Sequence, residues 1–147
     1  MSHVRQQIRD RIAANLTGLP GIGNNVYKMR RYALDDAKLP ALSVYTMDET
    51  SILATVGNRT MIRSLNVGIE IAAKGLSTSI YDTIDGYCVS VEEALGNDFS
   101  LNGLAKSCVL TSSSIDVNIE GEQAVCTARL VFAVDYITSI TDVESAR

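Results

Sequence analysis

The chain has 147 residues, 46% of them hydrophobic and 20% charged, with only two prolines; this composition fits one ordinary folded domain and excludes a disordered or linker-rich chain. Thirteen basic against seventeen acidic residues give a net charge of −4, which speaks against a nucleic-acid binder that gains affinity by neutralising phosphates. A chain of this length buries roughly 68–70% of its unfolded surface, so its core needs neither metal nor disulfide.

Val4, Ile8, Ile12 and Leu16 recur at helical spacing with Ala13 beside them, which predicts an amphipathic helix over residues 3–17 with Ser2 as its N-cap. Arg5, Arg9 and Arg11 fall off that stripe, on a face that is either solvated or set against an acidic partner. Gly18, Pro20, Gly21 and Gly23, followed by Asn24-Asn25, end the helix in a loop. The glycines do not read as a phosphate loop, because they follow a helix and lack the Gly-Lys-Ser/Thr ending.

Val26 to Leu34 is predicted as a strand. Its two faces, Val26/Lys28/Arg30/Tyr32/Leu34 and Tyr27/Met29/Arg31/Ala33, are both mixed, which suits a sheet edge, either protected by its charges or completed by a neighbouring subunit. Ala41 to Met47 alternates as a second strand. Asp48 to Thr60 is expected to be a long connection. It carries Ile52, Leu53 and Val56, and so is either packed on its own domain or held ready for another chain.

Met61 to Ala73 gives the clearest strand, with Leu65, Val67, Ile69, Ile71 and Ala73 on one face. Ser77 to Gly96 shifts to helical period along Ile80, Ile84, Tyr87, Cys88, Val91 and Leu95, with Gly96-Asn97 expected to end it in a left-handed turn. Gly86 inside this helix suggests close packing on the sheet. After an irregular stretch, Asn97 to Lys106, alternation returns at Cys108 and Leu110 and continues through Ile115, Val117 and Ile119, with Ser112 to Ser114 expected as a bulge. Gly121-Glu122 reads as a hairpin turn into a strand from Ala124 to Tyr136, and residues from about 139 onward read as a loose tail. The fold class is therefore α+β: a mainly antiparallel sheet with the N-terminal and central helices on one face and a long C-terminal β-hairpin, in a single domain.

Catalytic chemistry finds little support. His3 is the sole histidine and lies near a terminus, and the pairs Asp35-Asp36, Asp48-Glu49 and Glu92-Glu93 read as solvated charge, since strand neighbours point to opposite faces. Cys88, Cys108 and Cys126 are an odd, widely spaced set without a CxxC pair, so they read as small buried hydrophobes. No cofactor and no metal are expected. The first sixteen residues lack a signal peptide's apolar stretch, and no run of about 18 apolar residues occurs, so neither cleaved-signal export nor membrane insertion is expected.

An arginine-bearing N-terminal helix, a glycine turn into Val26-Tyr-Lys-Met-Arg-Arg-Tyr, the phrase Leu39-Pro-Ala-Leu-Ser-Val-Tyr45 and the hairpin ending Arg129-Leu-Val-Phe-Ala-Val-Asp-Tyr136 together resemble the tail terminator (tail completion) proteins of long-tailed bacteriophages. The resemblance implies an α+β virion subunit, not an enzyme, that is assembled in the host cytoplasm. It forms a hexameric ring on the head-proximal end of the tail tube, stops the tube growing and joins the tail to the head. The implied partners are copies of itself, the tail tube protein, a head-completion or neck protein, and DNA passing through the lumen without sequence-specific binding; no membrane is involved. Subunit contacts are expected at the strand from Val26 to Leu34, at the loop with Ile52, Leu53, Val56 and Arg59, and at the late hairpin. Lys28, Arg30 and Arg31 are candidates for an acidic neighbour or for DNA. The alternatives are a neighbouring neck ring and, from a different class, a monomeric enzyme or ligand-binding domain with a pocket under the Asp48 to Thr60 loop.

Overall fold

The computed structural model of the chain describes residues 2–29, 39–57 and 59–147. Its elements run α1 (Val4–Leu16), β1 (Val26–Tyr27), β2 (Ala41–Thr55), β3 (Thr60–Leu76), α2 (Ile80–Gly96), β4 (Ser107–Glu120) and β5 (Gln123–Ser139). The strands form one sheet in the order β1-β2-β3-β5-β4, antiparallel except for β1, which pairs with β2 in parallel. This is the α+β architecture expected from the sequence.

Period-2 patterning explains the layering. Leu65, Val67, Ile69 and Ile71 of β3 stand opposite Val134, Phe132, Leu130 and Ala128 of β5, and all are buried on the face that α1 and α2 cover. From the helices, Val4, Ile8, Ile12 and Leu16 meet Ile80, Ile84, Val91 and Leu95 in the same core. Fully burying each such side chain stabilises by about 1.5–3 kcal/mol.

Several expectations are corrected. Asp48 to Thr60 is not a loop: β2 continues to Thr55, β3 starts at Thr60, and only a tight turn joins them, so most of this stretch is strand. The strand expected from Val26 to Leu34 is, among the described residues, the edge pair Val26–Tyr27; Lys28 and Met29 bend away, and residues 30–38 lie outside the described residues. His3, rather than Ser2, caps α1, its Nδ1 accepting from the Arg5 N–H at 3.0 Å. α2 ends at Asn97 with φ −77°, not in a left-handed turn. Gly86 lies on the exposed face, where an added Cβ would meet nothing within 4 Å. The β4 bulge falls at Thr111, between Leu110 and Ser112, just before the serines. Gly121-Glu122 does turn the late hairpin, with Gly121 at φ 66°.

The last residues, read as a loose tail, return to the body. The Val4 N–H donates to the Val143 carbonyl at 2.9 Å, Gln7 Nε2 donates to the Glu144 carbonyl at 2.8 Å, and Ala146 packs on the core.

Candidate functional site

The sheet is longer than the helical layer that covers it. β3 alone has 17 residues, about 50 Å at roughly 3.3 Å per residue, and apolar residues are exposed near both of its ends, on the bare face at one and beside α2 at the other. At one end stands the β2–β3 hairpin tip. Ile52 and Ile62 face each other across the two strands, exposed by 63% and 38%, and Val56 in the turn is 81% exposed. Arg59 follows in the left-handed region at φ 51°, and its carbonyl accepts from the Ile140 N–H at 2.8 Å, which fixes the turn.

The opposite end carries the β4–β5 hairpin. Ile115 and Ile119 sit on the helix side, opposite the buried Ala128 and Ala124, yet both are exposed. The cause is the position of α2, which packs chiefly on β3 and β5 and leaves the β4 edge open. Tyr81 and Val89 of α2 are also exposed.

Four of the candidate contacts named from the sequence, Ile52, Leu53, Val56 and Arg59, come together on the first hairpin. Lys28 does not join them. It follows Tyr27, which pairs with Ser43, about 30 Å along β2 from Ile52, and its ammonium meets Asp10 Oδ1 at 3.2 Å in a well-exposed pair. Such pairs contribute little, so this one leaves Lys28 free to exchange partners. Arg30 and Arg31 lie outside the described residues.

A polar cluster that the sequence hid lies under the N-terminus of α1. Glu49 was read beside Asp48 as solvated charge, but a register shift between Thr46 and Glu49 parts the two. Asp48 takes Asn66 Nδ2 at 3.2 Å, whereas Glu49 turns inward. There its Oε2 accepts from Arg5 at 2.9 Å and Arg63 at 3.3 Å, and its Oε1 accepts from the Tyr136 hydroxyl. Arg63 Nε also donates to Thr138 Oγ1 at 3.0 Å. Burial, then the Glu49 hydrogen bond, pushes the Tyr136 phenol far above its ordinary range. His3 is held below its usual value by burial and then by Arg5 and Arg63. With its oxygens occupied by two guanidiniums and a phenol, Glu49 clamps α1, β2, β3 and β5 together and is poorly placed to take a proton from a substrate.

A second arginine of α1 is also used within the chain. Arg11 Nε reaches Asp98 Oδ2 at 2.9 Å, and the same oxygen accepts from Asn15 at 2.7 Å; these bonds, the Asn15 one foremost, hold Asp98 below the usual carboxylate range. Cys88 and Cys108 are pushed up to about 11 by burial, which leaves them as unreactive thiols at neutral pH. Among the described residues no group of three or more His, Cys, Asp or Glu is placed to hold a metal ion, and no helix is long and apolar enough to cross a membrane. One open cleft of about 490 Å³, lined by Lys74, Asn118, Glu120 and Gln123, lies at the β4–β5 end, far from the β2–β3 tip.

No family model and no curated protein matches the chain. Among solved structures, the chain is similar to one in the virion of a native gene transfer agent (GTA) particle, at 10% identity and a TM-score of 0.35 over 90% of this chain and 92% of that one.

Proposed function

We propose that the chain is a ring-forming tail terminator of a long-tailed bacteriophage: a virion subunit that closes into a hexamer on the head-proximal end of the tail tube, ends the tube's growth and presents the surface that meets a head-completion or neck protein. The observation that carries this reading is the pair of unlike apolar patches at opposite ends of one sheet, Ile52, Ile62 and Val56 at one and Ile115 and Ile119 at the other. Exposed apolar patches of this kind mark interaction sites, and two unlike patches on one subunit suit head-to-tail contact that closes when the rotation returns to its start. The phrases from Val26 to Tyr45 and from Arg129 to Tyr136 add the family resemblance. In this reading Lys28, with Arg30 and Arg31, faces an acidic neighbour or the DNA that threads the lumen.

The test has two arms. Light scattering on the purified chain gives its mass in solution, and electron microscopy of the chain mixed with purified tail tubes shows where it binds. A ring that caps one tube end supports the proposal. A ring that ignores bare tubes moves the chain to the head side of the junction, and a lone monomer that leaves both tube ends bare removes the assembly reading.

A further inference from the structure

We propose that copies of this chain join head to tail by seating the β2–β3 hairpin tip of one copy in the trough between α2 and the β4 edge of the next. The inference rests on the ring reading above and names its contact.

The tip is apolar and carries a single formal charge. From Ser51 through Ile62 the one ionisable side chain is Arg59, and Ile52 and Val56 are among the most exposed apolar residues of the described chain. The trough is apolar with an acidic border. Tyr81, Asp85, Cys88 and Glu92 recur at helical spacing on one side of α2. That side borders β4: Tyr87, on the other flank of α2, lies against Gly21 just before β1, at the far edge of the sheet from β4, and α2 also touches β4 itself. Neither wall contains a basic residue. The carboxylates of the trough come from α2, which carries Asp85 and Glu92 on this side, while Asp116 and Glu120 of β4 alternate with the helix-side residues and lie on the opposite face of the sheet.

Charge complementarity therefore selects the occupant. An apolar, singly cationic ribbon matches an oily trough rimmed with carboxylates, whereas a phosphate backbone would be repelled from it. A chain cannot fill its own trough, because tip and trough lie at opposite ends of a sheet about 50 Å long. A reciprocal dimer, in which two antiparallel copies fill each other's troughs, is the other closed solution, and a wild-type chain that stops at two copies overturns the ring. Each copy offers one tip and one trough, which is the requirement for a heterologous ring.

The experiment uses two full-length variants, Val56→Asp at the tip and Ile115→Asp in the trough. Both positions are exposed, and circular dichroism checks that each variant folds. Each alone is expected to be monomeric by light scattering, while an equimolar mixture forms a one-to-one dimer and nothing larger, since one intact tip meets one intact trough. Arg59→Glu is expected to weaken assembly by about tenfold, with partial recovery when Asp85→Arg is added in the same chain. A wild-type ring together with two variants that still form rings overturns this contact and leaves the ring reading standing. Two monomeric variants that give no dimer on mixing also overturn it. A wild-type chain that stays monomeric at every concentration, with or without tail tubes, removes the ring reading and this contact with it.

Discussion

The ring of Tyr45 lies flat over Gly68: a Cβ at position 68 would fall 2.6 Å from two of its ring carbons. The two residues are directly paired across β2 and β3, and the absence of a side chain at one makes room for the aromatic ring of the other. The Tyr45 hydroxyl then donates to Glu70 Oε1 at 2.9 Å, on the strand that carries Gly68. Gly68→Ala is expected to destabilise the fold by about 1–3 kcal/mol, the usual cost of forcing atoms into a filled space. Tyr45→Ala also destabilises, but the double variant loses less than the sum, because removing the ring removes the clash. Urea unfolding of the four proteins checks this, and strict additivity would show that the ring can move aside.

Glu49 and its partners give a second prediction. Tyr136→Phe keeps the buried ring but leaves a Glu49 oxygen without its donor, at a cost of about 1–3 kcal/mol. Glu49→Ala costs more, since it strands Arg5 and Arg63 as well. Denaturant midpoints that hardly change in Glu49→Ala would show that the cluster is loose in solution.

These two sites mark the limit of what was legible in the sequence. β3 and β5 were readable because one of their faces is dry, and Leu65 to Ala73 and Ala124 to Tyr136 alternate accordingly. The distal half of β2 reads as a loop in the sequence because both of its faces are wet, so no alternation marks it. Its strand character comes from pairing with β3, a partner outside its own local sequence. Glu49 is hidden by the bulge at Met47-Asp48, two residues set against the single Asn66, whose one extra residue reverses the face on which Glu49 lies. Gly68 carries no mark in the sequence, since only the register shows that it stands under Tyr45. Of the contact site, the tip was recognisable from Ile52, Leu53 and Val56 alone. The trough was not, because the exposure of Ile115 and Ile119 depends on where α2 lies.

His3 makes helix capping depend on pH. Its Nδ1 must be unprotonated to accept from the Arg5 N–H, and its folded pKa is lowered by burial and then by Arg5 and Arg63. A depressed folded value means that the unfolded chain binds the proton first. The capping contribution is then complete above about pH 6.5 and is lost as pH falls toward the folded value. His3→Ser retains a cap without titrating, so unfolding free energies of wild type and variant should run parallel above neutrality and diverge at acid pH, where only the wild type loses its cap. Parallel profiles from pH 7 to pH 5 would count against the assignment.

At alkaline pH the sign reverses. Cys88 and Cys108 are raised to about 11 by burial, and Tyr136 is raised further by burial and Glu49. The unfolded thiols ionise near their ordinary value, about 8.5, while the folded ones remain protonated; stability is full below that value and declines as pH rises toward 11. Replacing both cysteines with alanine should lessen the fall between about pH 9 and 10, the share of Cys126 remaining, and leave the later fall from Tyr136. The check is the denaturant midpoint as a function of pH under reducing conditions.

Gly86 supplies the contrast to Gly68. Its place inside a helix suggests a packing glycine, yet it lies on the exposed side of α2 with open space where a Cβ would go, and its φ is not in the left-handed region. A glycine within a helix costs about 1 kcal/mol relative to alanine, chiefly through the greater freedom of the unfolded chain. Gly86→Ala should therefore raise stability by about 0.5–1 kcal/mol, the opposite sign to Gly68→Ala for the same chemical change. Thermal unfolding of the two variants side by side tests the pair. A loss of stability in Gly86→Ala would mean that this face of α2 is covered in the folded protein, and covered most simply by another copy of the chain.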